Sequence, residues 1–144
     1  MVMRYFGNKD GLFAAAATFD LNLPDLSATP RKQRGRLLAQ HYLRLWERDA
    51  VGSGLAILLR TAATNDGAAE RVREVFRGQV LPVIAAVSPD APSTRAALIA
   101  SQLLGMAYCR YVVKMPALVA LDHDVIVAKL GETIQRYLEG PIGA

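Results

Sequence analysis

The chain has 144 residues, 52% of them hydrophobic and 21% charged, with a net charge of +4. This is enough apolar chain for one domain with its own core, and it excludes a disordered or polyelectrolyte segment. A single cysteine, Cys109, excludes an internal disulfide and a cysteine-rich zinc site, and fits a reducing, cytoplasmic setting.

Met1 to Gly11 contains Arg4, Lys9 and Asp10 and lacks an apolar stretch long enough for a secretory signal. Helical periodicity begins near Lys9. Asn8 is a suitable N-cap, Asp10 sits in the first turn, and Leu12, Phe13, Ala16 and Ala17 share a face. Residues 21–30, with two prolines, Asn22 and Ser27, read as a connector. A second helix is predicted over 31–49, where Leu38, Tyr42, Leu45 and Trp46 recur at the helical period. Gly52-Ser53-Gly54 is expected to break it, and a short helix follows over 55–63. Asn65-Asp66-Gly67 signals a turn.

The next helix is predicted over 68–87, with Val72, Val75, Phe76, Val80, Val83 and Ile84 as its stripe. Pro82 inside that pattern predicts a kink or a break near Leu81. After the loop 88–92, residues 93–113 form a helix that is apolar nearly all round, ended by Lys114-Met115-Pro116. Its apolar run, 96–109, is interrupted by Ser101, Gln102 and Gly105 and falls short of the roughly 18 residues a membrane span needs. It reads as a buried helix, with no membrane partner. A last helix runs over 124–138, with Ile126, Leu130, Ile134 and Leu138 along one side and Gly140-Pro141 as its stop. The expectation is an all-α fold of about six helices.

A helix buried on every side in so small a domain needs cover beyond its own neighbours. A second copy of the chain is the simplest source; the bland alternative is the central core helix of a monomer. Ala97, Ser101 and Gly105 recur every four positions and would let another helix come close. The expected homodimer therefore forms through the last two helices. Leu98, Ile126, Leu130 and Ile134 supply apolar area beside the three small residues.

Few residues suggest chemistry. His41 and His123 do not have metal-site spacing, and Asp122-His123-Asp124 reads as the N-cap region of the last helix. Cys109 beside Arg110 reads as an inert core thiol before a reactive one. Glu70 and Glu74 lie among Arg71, Arg73 and Arg77, as on a solvated face. There is no nucleophile elbow, phosphate loop or dinucleotide fingerprint, so neither an enzyme, a cofactor nor a metal is expected. Arg60 and Arg110 sit inside strongly apolar helices, and a buried guanidinium must be paired, either internally or by a ligand anion. Tyr42, Trp46, Leu58, Met106 and Tyr108 supply aromatic and apolar surface with a few polar tips. With the two arginines they make a candidate pocket for a small, mostly apolar molecule, and equally the makings of an ordinary core.

Val2-Met3-Arg4-Tyr5-Phe6-Gly7-Asn8-Lys9-Asp10-Gly11-Leu12-Phe13 resembles the junction in tetracycline-repressor (TetR) family regulators where the recognition helix ends and the connecting helix begins. An aromatic pair, a short turn, an asparagine, a lysine, an acid and an apolar pair follow in the family's order. The segments 58–64 and 103–111 resemble parts of the family's C-terminal domain. The resemblance implies a remnant of the helix-turn-helix over 1–8, and a connecting helix with a ligand-binding and dimerising domain over 9–144. It also implies phosphate contacts from Arg4, Tyr5 and Lys9. The first helices of the DNA-binding head, roughly 35–45 residues, are expected ahead of Met1, so DNA binding is expected only of the full-length protein. The implied function is a ligand-responsive transcriptional repressor. The alternative is a stand-alone helical dimer that binds a small molecule or partner and never touches DNA.

Overall fold

The computed structural model describes residues 20–48 and 50–143, and of residues 50–53 the backbone alone. Arg4, Tyr5 and Lys9, with the helix anticipated from Lys9, lie outside the described residues. Helix α1 (Arg34–Arg48) is entered through two 3₁₀ turns, Leu26–Ala28 and Arg31–Gln33. Then come α2 (Ala50–Ala62), α3 (Asp66–Val75), a π-helical turn (Phe76–Val80) and α4 (Leu81–Ala85). After a loop follow α5 (Pro92–Ala107), a second π turn (Tyr108–Val112), the short α6 (Pro116–Val119) and α7 (His123–Glu139). Among the described residues there is no strand. The fold is all-α, as the periodicity predicts.

Local chemistry sets most of the boundaries. Asp25 accepts the Ser27 N–H at 3.0 Å and starts the first 3₁₀ turn, and Asn65 accepts the Ala68 N–H at 3.0 Å and starts α3. Lys114 takes a left-handed φ of 59° and carries the chain out of the second π turn ahead of Pro116. Asp122 stands at the N-cap of α7, although its carboxylate makes no capping bond.

One expectation is corrected, and another takes a specific form. Gly52-Ser53-Gly54 does not break the chain: α2 begins at Ala50 and runs through it. A helical glycine costs only about 1 kcal/mol relative to alanine, which the burial of Leu55 and Leu58 further along the helix outweighs. The kink expected at Pro82 takes the form of a wider turn. Pro82 has no N–H, and its ring would meet the Gly78 carbonyl in a regular helix. The ladder widens instead, so that Leu81 N–H reaches back five residues to the Phe76 carbonyl.

The firmest packing is the crossing of α1 on α7. A Cβ placed on Gly35 would come within 2.7 Å of the Gln135 backbone nitrogen, and one on Gly131 within 2.9 Å of the Arg36 Cα. Two glycines thus let the backbones touch. Gln135 then ties α7 to the start of α1, accepting the Gly35 N–H at 2.8 Å and donating to the Arg31 carbonyl at 2.9 Å. Leu38 and Leu45 of α1 and Ile126, Leu130 and Ile134 of α7 are all buried in the one core cluster.

Among the described residues the fully buried guanidinium is neither Arg60 nor Arg110. It is Arg95, 2% exposed. Arg95 binds Asp90 Oδ1 at 2.8 Å through Nη2 and the Asp90 carbonyl at 2.9 Å through Nε. It also donates to the Tyr137 carbonyl at 3.0 Å, placing a positive charge at the C-terminal end of α7. The left-handed Ala91 (φ 43°) folds the loop back so that Asp90 reaches this position.

Candidate functional site

Between α1, α2, α3 and α5 the helices do not close completely. A pocket of about 80 Å³ remains, walled by Leu21, Tyr42, Leu55, Phe76, Val80 and Leu103, among others. The walls are almost wholly apolar. Each element contributes because its stripe faces this space: Leu55 and Leu58 from α2, Val72 and Val75 from α3, and Ala100, Leu103 and Leu104 from α5. The π turn rotates Phe76 and Val80 into the wall.

Tyr42 is the polar exception. It is 7% exposed, and neither its hydroxyl nor Nε1 of Trp46, which is 8% exposed, meets a partner at full hydrogen-bond geometry, although the indole lies close enough to act on the phenol. The two rings are tilted at 58° with centroids 6.2 Å apart. Burial pushes the Tyr42 phenol far above its ordinary range, with the nearby Trp46 indole acting in the opposite direction. Trp46 in turn stacks on Tyr111 at 5.4 Å, nearly parallel. Tyr111 donates to Glu47 Oε2 at 2.5 Å, and its phenol is pushed up by burial first and by the Glu47 carboxylate second.

The predicted pocket residues separate accordingly. Tyr42 and Leu58 line the pocket, and Trp46 packs against Tyr42 just behind it. Met106 packs half-buried against the core. Arg60 and Tyr108 are exposed and lie outside the wall. Arg110 is already engaged: Nη1 donates to the Leu118 carbonyl, and Nε lies 3.5 Å from Glu47 Oε2 without a hydrogen bond. Of the two outcomes open to them, Arg110 takes internal pairing, and Arg60, exposed to solvent, needs neither. Their helices have a solvent side at Arg60 and a carbonyl-bearing neighbour, α6, at Arg110. Glu70 meets Arg77 and Arg73, each at 2.8 Å, on an exposed face, as the charge pattern suggests; Arg77 is the larger cause of its lowered pKa.

The predicted interface residues also divide. Ala97, Ser101 and Gly105 are exposed along α5, and nothing lies within 4 Å of a Cβ placed on Gly105. Leu98 beside them is half-buried. Ile126, Leu130 and Ile134, at 2%, 5% and 0% exposure, are spent within the single chain against α1 and offer no free area. The stripe on α7 was legible in the sequence, but not which neighbour it packs on.

Sequence reasoning missed the tether of Leu21. Its side chain walls the pocket, its N–H donates to Gln79 Oε1 at 2.7 Å, and its carbonyl accepts from His41 Nε2 at 2.8 Å. No local signal in the connector announces it, because both partners are distant in sequence. A polar cleft between the start of α1 and the end of α7 is larger, about 410 Å³, but its arginines already hold partners: Arg31 binds Glu139 and Arg34 the Leu26 carbonyl. Among the described residues no cluster of histidine, cysteine, aspartate and glutamate could hold a metal. No helix there is long and apolar enough to cross a membrane.

The fold and its site define an all-helical domain with an apolar pocket between helices. Residues 33–138 match the family described as Tetracyclin repressor-like, C-terminal domain, and the chain belongs to that family of transcriptional regulators. No curated protein and no solved structure matches the chain significantly.

Proposed function

We propose that the chain is the effector-binding and dimerising part of a ligand-responsive TetR-family repressor, acting in the cytoplasm, with sequence-specific DNA binding confined to the full-length protein. The effector is small and mostly apolar and sits in the pocket walled by Tyr42, Phe76 and Leu103. The observation that carries this reading is an apolar pocket inside the family domain with Leu21 as one wall. Leu21 lies eight residues beyond the segment 2–13 that resembles the link to the DNA-binding head. Gln79, in the same π turn as Phe76 and Val80, holds it. A ligand that displaces the turn bears on Leu21, and only a ligand that binds one of the two arrangements better shifts the head. Arg4, Tyr5 and Lys9 are assigned to phosphate contact in the intact protein.

The homodimer uses the exposed stripe of α5, with Ala97, Ser101 and Gly105 admitting the partner helix and Leu98 at its edge. A Gly105→Glu chain meets no clash within its own fold. It is expected to sediment as a monomer where the parent sediments as a dimer. A parent that stays monomeric at high micromolar concentration overturns the dimer. The pocket is tested with toluene, titrated against the parent chain and against Ala100→Trp, which fills the space. Binding to the parent and none to the variant, at unchanged helicity, is the expected result. Equal binding to both overturns the site.

A further inference from the structure

Resting on the homodimer proposed for the α5 stripe, we propose that the corner at residues 108–125 supplies the apolar area of that dimer, and that its occupant is a second copy of this chain. Among the described residues, seven large hydrophobic side chains are exposed, and six of them fall here: Tyr108, Val113, Met115, Val119, Leu121 and Val125. Scattered exposed apolar residues are ordinary, but a run of them in one short stretch marks a contact surface. The corner is tightly folded. The Val113 N–H donates to the Tyr108 carbonyl and the Met115 N–H to the Cys109 carbonyl, each at 2.9 Å. Arg110 braces it from the chain's own side. Its Nη1 donates to the Leu118 carbonyl and reaches the Val119 and Leu121 carbonyls at 3.5 and 3.4 Å, while Glu47 Oε2 lies 3.5 Å from its Nε. A charged strut thus holds apolar side chains out in solvent. A surface fixed before its partner arrives loses little conformational freedom on association.

Area and continuity identify the partner. A stable interface buries roughly 800 Å² on each side. Ala97, Ser101 and Gly105 admit a helix but bring little apolar surface, and Ile126, Leu130 and Ile134 are buried within the chain and cannot add any. The corner supplies what the stripe lacks. Tyr108 stands three residues past Gly105 on the same helical face, is exposed as Gly105 is, and leads directly into the corner. Lys114 and Asp122, both exposed and both within this stretch, form no ion pair among the described residues. A surface that must match its own copy carries both signs, so that each charge can find its opposite across the axis.

Analytical ultracentrifugation of the full 144-residue chain tests this, with Val119→Glu, Gly105→Glu and Ile57→Glu beside the parent. Val119 is half exposed in the single chain, so its variant is expected to keep the parent's helicity. It should raise the dimer dissociation constant by about a hundredfold or more, because the change acts twice and sets carboxylates into an apolar contact. Ile57, 38% exposed on α2, is the exposed apolar residue outside the corner, and its variant should stay within about twofold of the parent. A second readout needs no variant: amide exchange at 113–121 in the parent should slow as concentration rises through the dimerisation range. A dimer broken by Gly105→Glu but untouched by Val119→Glu overturns the corner while the stripe dimer stands. Corner exchange that ignores concentration does the same. Equal weakening by Ile57→Glu overturns the assignment to this corner. A parent that is monomeric throughout overturns the dimer itself and the corner with it.

Discussion

The two packings that α1 makes are built differently. Against α7 the backbones touch at Gly35 and Gly131, and Gln135 satisfies the start of α1. Against α2, α3 and α5 the chain leaves an apolar pocket with a π turn in its wall. The first packing fixes backbone against backbone. The second holds free volume bounded by apolar side chains. The comparison separates a close crossing from an open one on the same helix.

The sharpest break of that contrast is at the close crossing. Gly35→Val is expected to destabilise the chain by about 3 kcal/mol or more, because backbone rather than a flexible side-chain tip receives the added atoms. Urea titration checks it. Gly78→Ala, in the pocket-side π turn with nothing within 4 Å, should change stability by less than about 1 kcal/mol in the same measurement. Equal losses in the two would end the distinction.

Arg95→Met comes next. It keeps much of the packing but removes the donors held by the Tyr137 carbonyl and Asp90. Asp90 is 70% exposed and stays solvated, so the loss is expected near about 2–3 kcal/mol and not at the full scale of a stranded buried ion. Asp90→Asn should cost less than Arg95→Met in parallel thermal melts.

Pro82→Ala sharpens the pocket side. It restores an N–H that can reach the Gly78 carbonyl, so the turn is expected to narrow toward a regular helix, with stability changing by less than about 1 kcal/mol. Phe76 and Val80 then leave their places in the wall, and toluene affinity should fall several-fold. Unaltered affinity, with slower amide exchange at 76–82, would show that the turn shape does not set the pocket.

The smallest effect lies outside ordinary conditions. Tyr42 and Tyr111 have phenols raised above the ordinary value of 10.0 in the folded chain. A group raised on folding contributes stability that is fully present below its unfolded pKa. That contribution is lost as pH rises from about 10 toward the folded value, because the unfolded chain ionises first. Unfolding free energy measured from pH 8 to 11.5 should hold up to about pH 10 and then decline. Tyr42→Phe should flatten the decline from the pocket side, and Tyr111→Phe the part that arises beside Glu47.

By itself the sequence determined the helices and most of their ends. Apolar spacing and stops such as Lys114-Met115-Pro116 act within a few residues of themselves. It marked Tyr42 and Leu58 as pocket residues and the α5 stripe of Ala97, Ser101 and Gly105 as a distinct face. Tertiary structure alone decided which stripe meets which. Ile126, Leu130 and Ile134 are equally apolar whether they cover a partner or α1, and the close approach at Gly35 and Gly131 selects α1. It likewise made Arg95 the buried cation and left Arg60 in solvent, since pairing depends on where a loop returns. Leu21, held by His41 and Gln79 from positions 20 and 58 residues away, could be found only by folding the chain, because periodicity records a residue's own helix and not its distant neighbours.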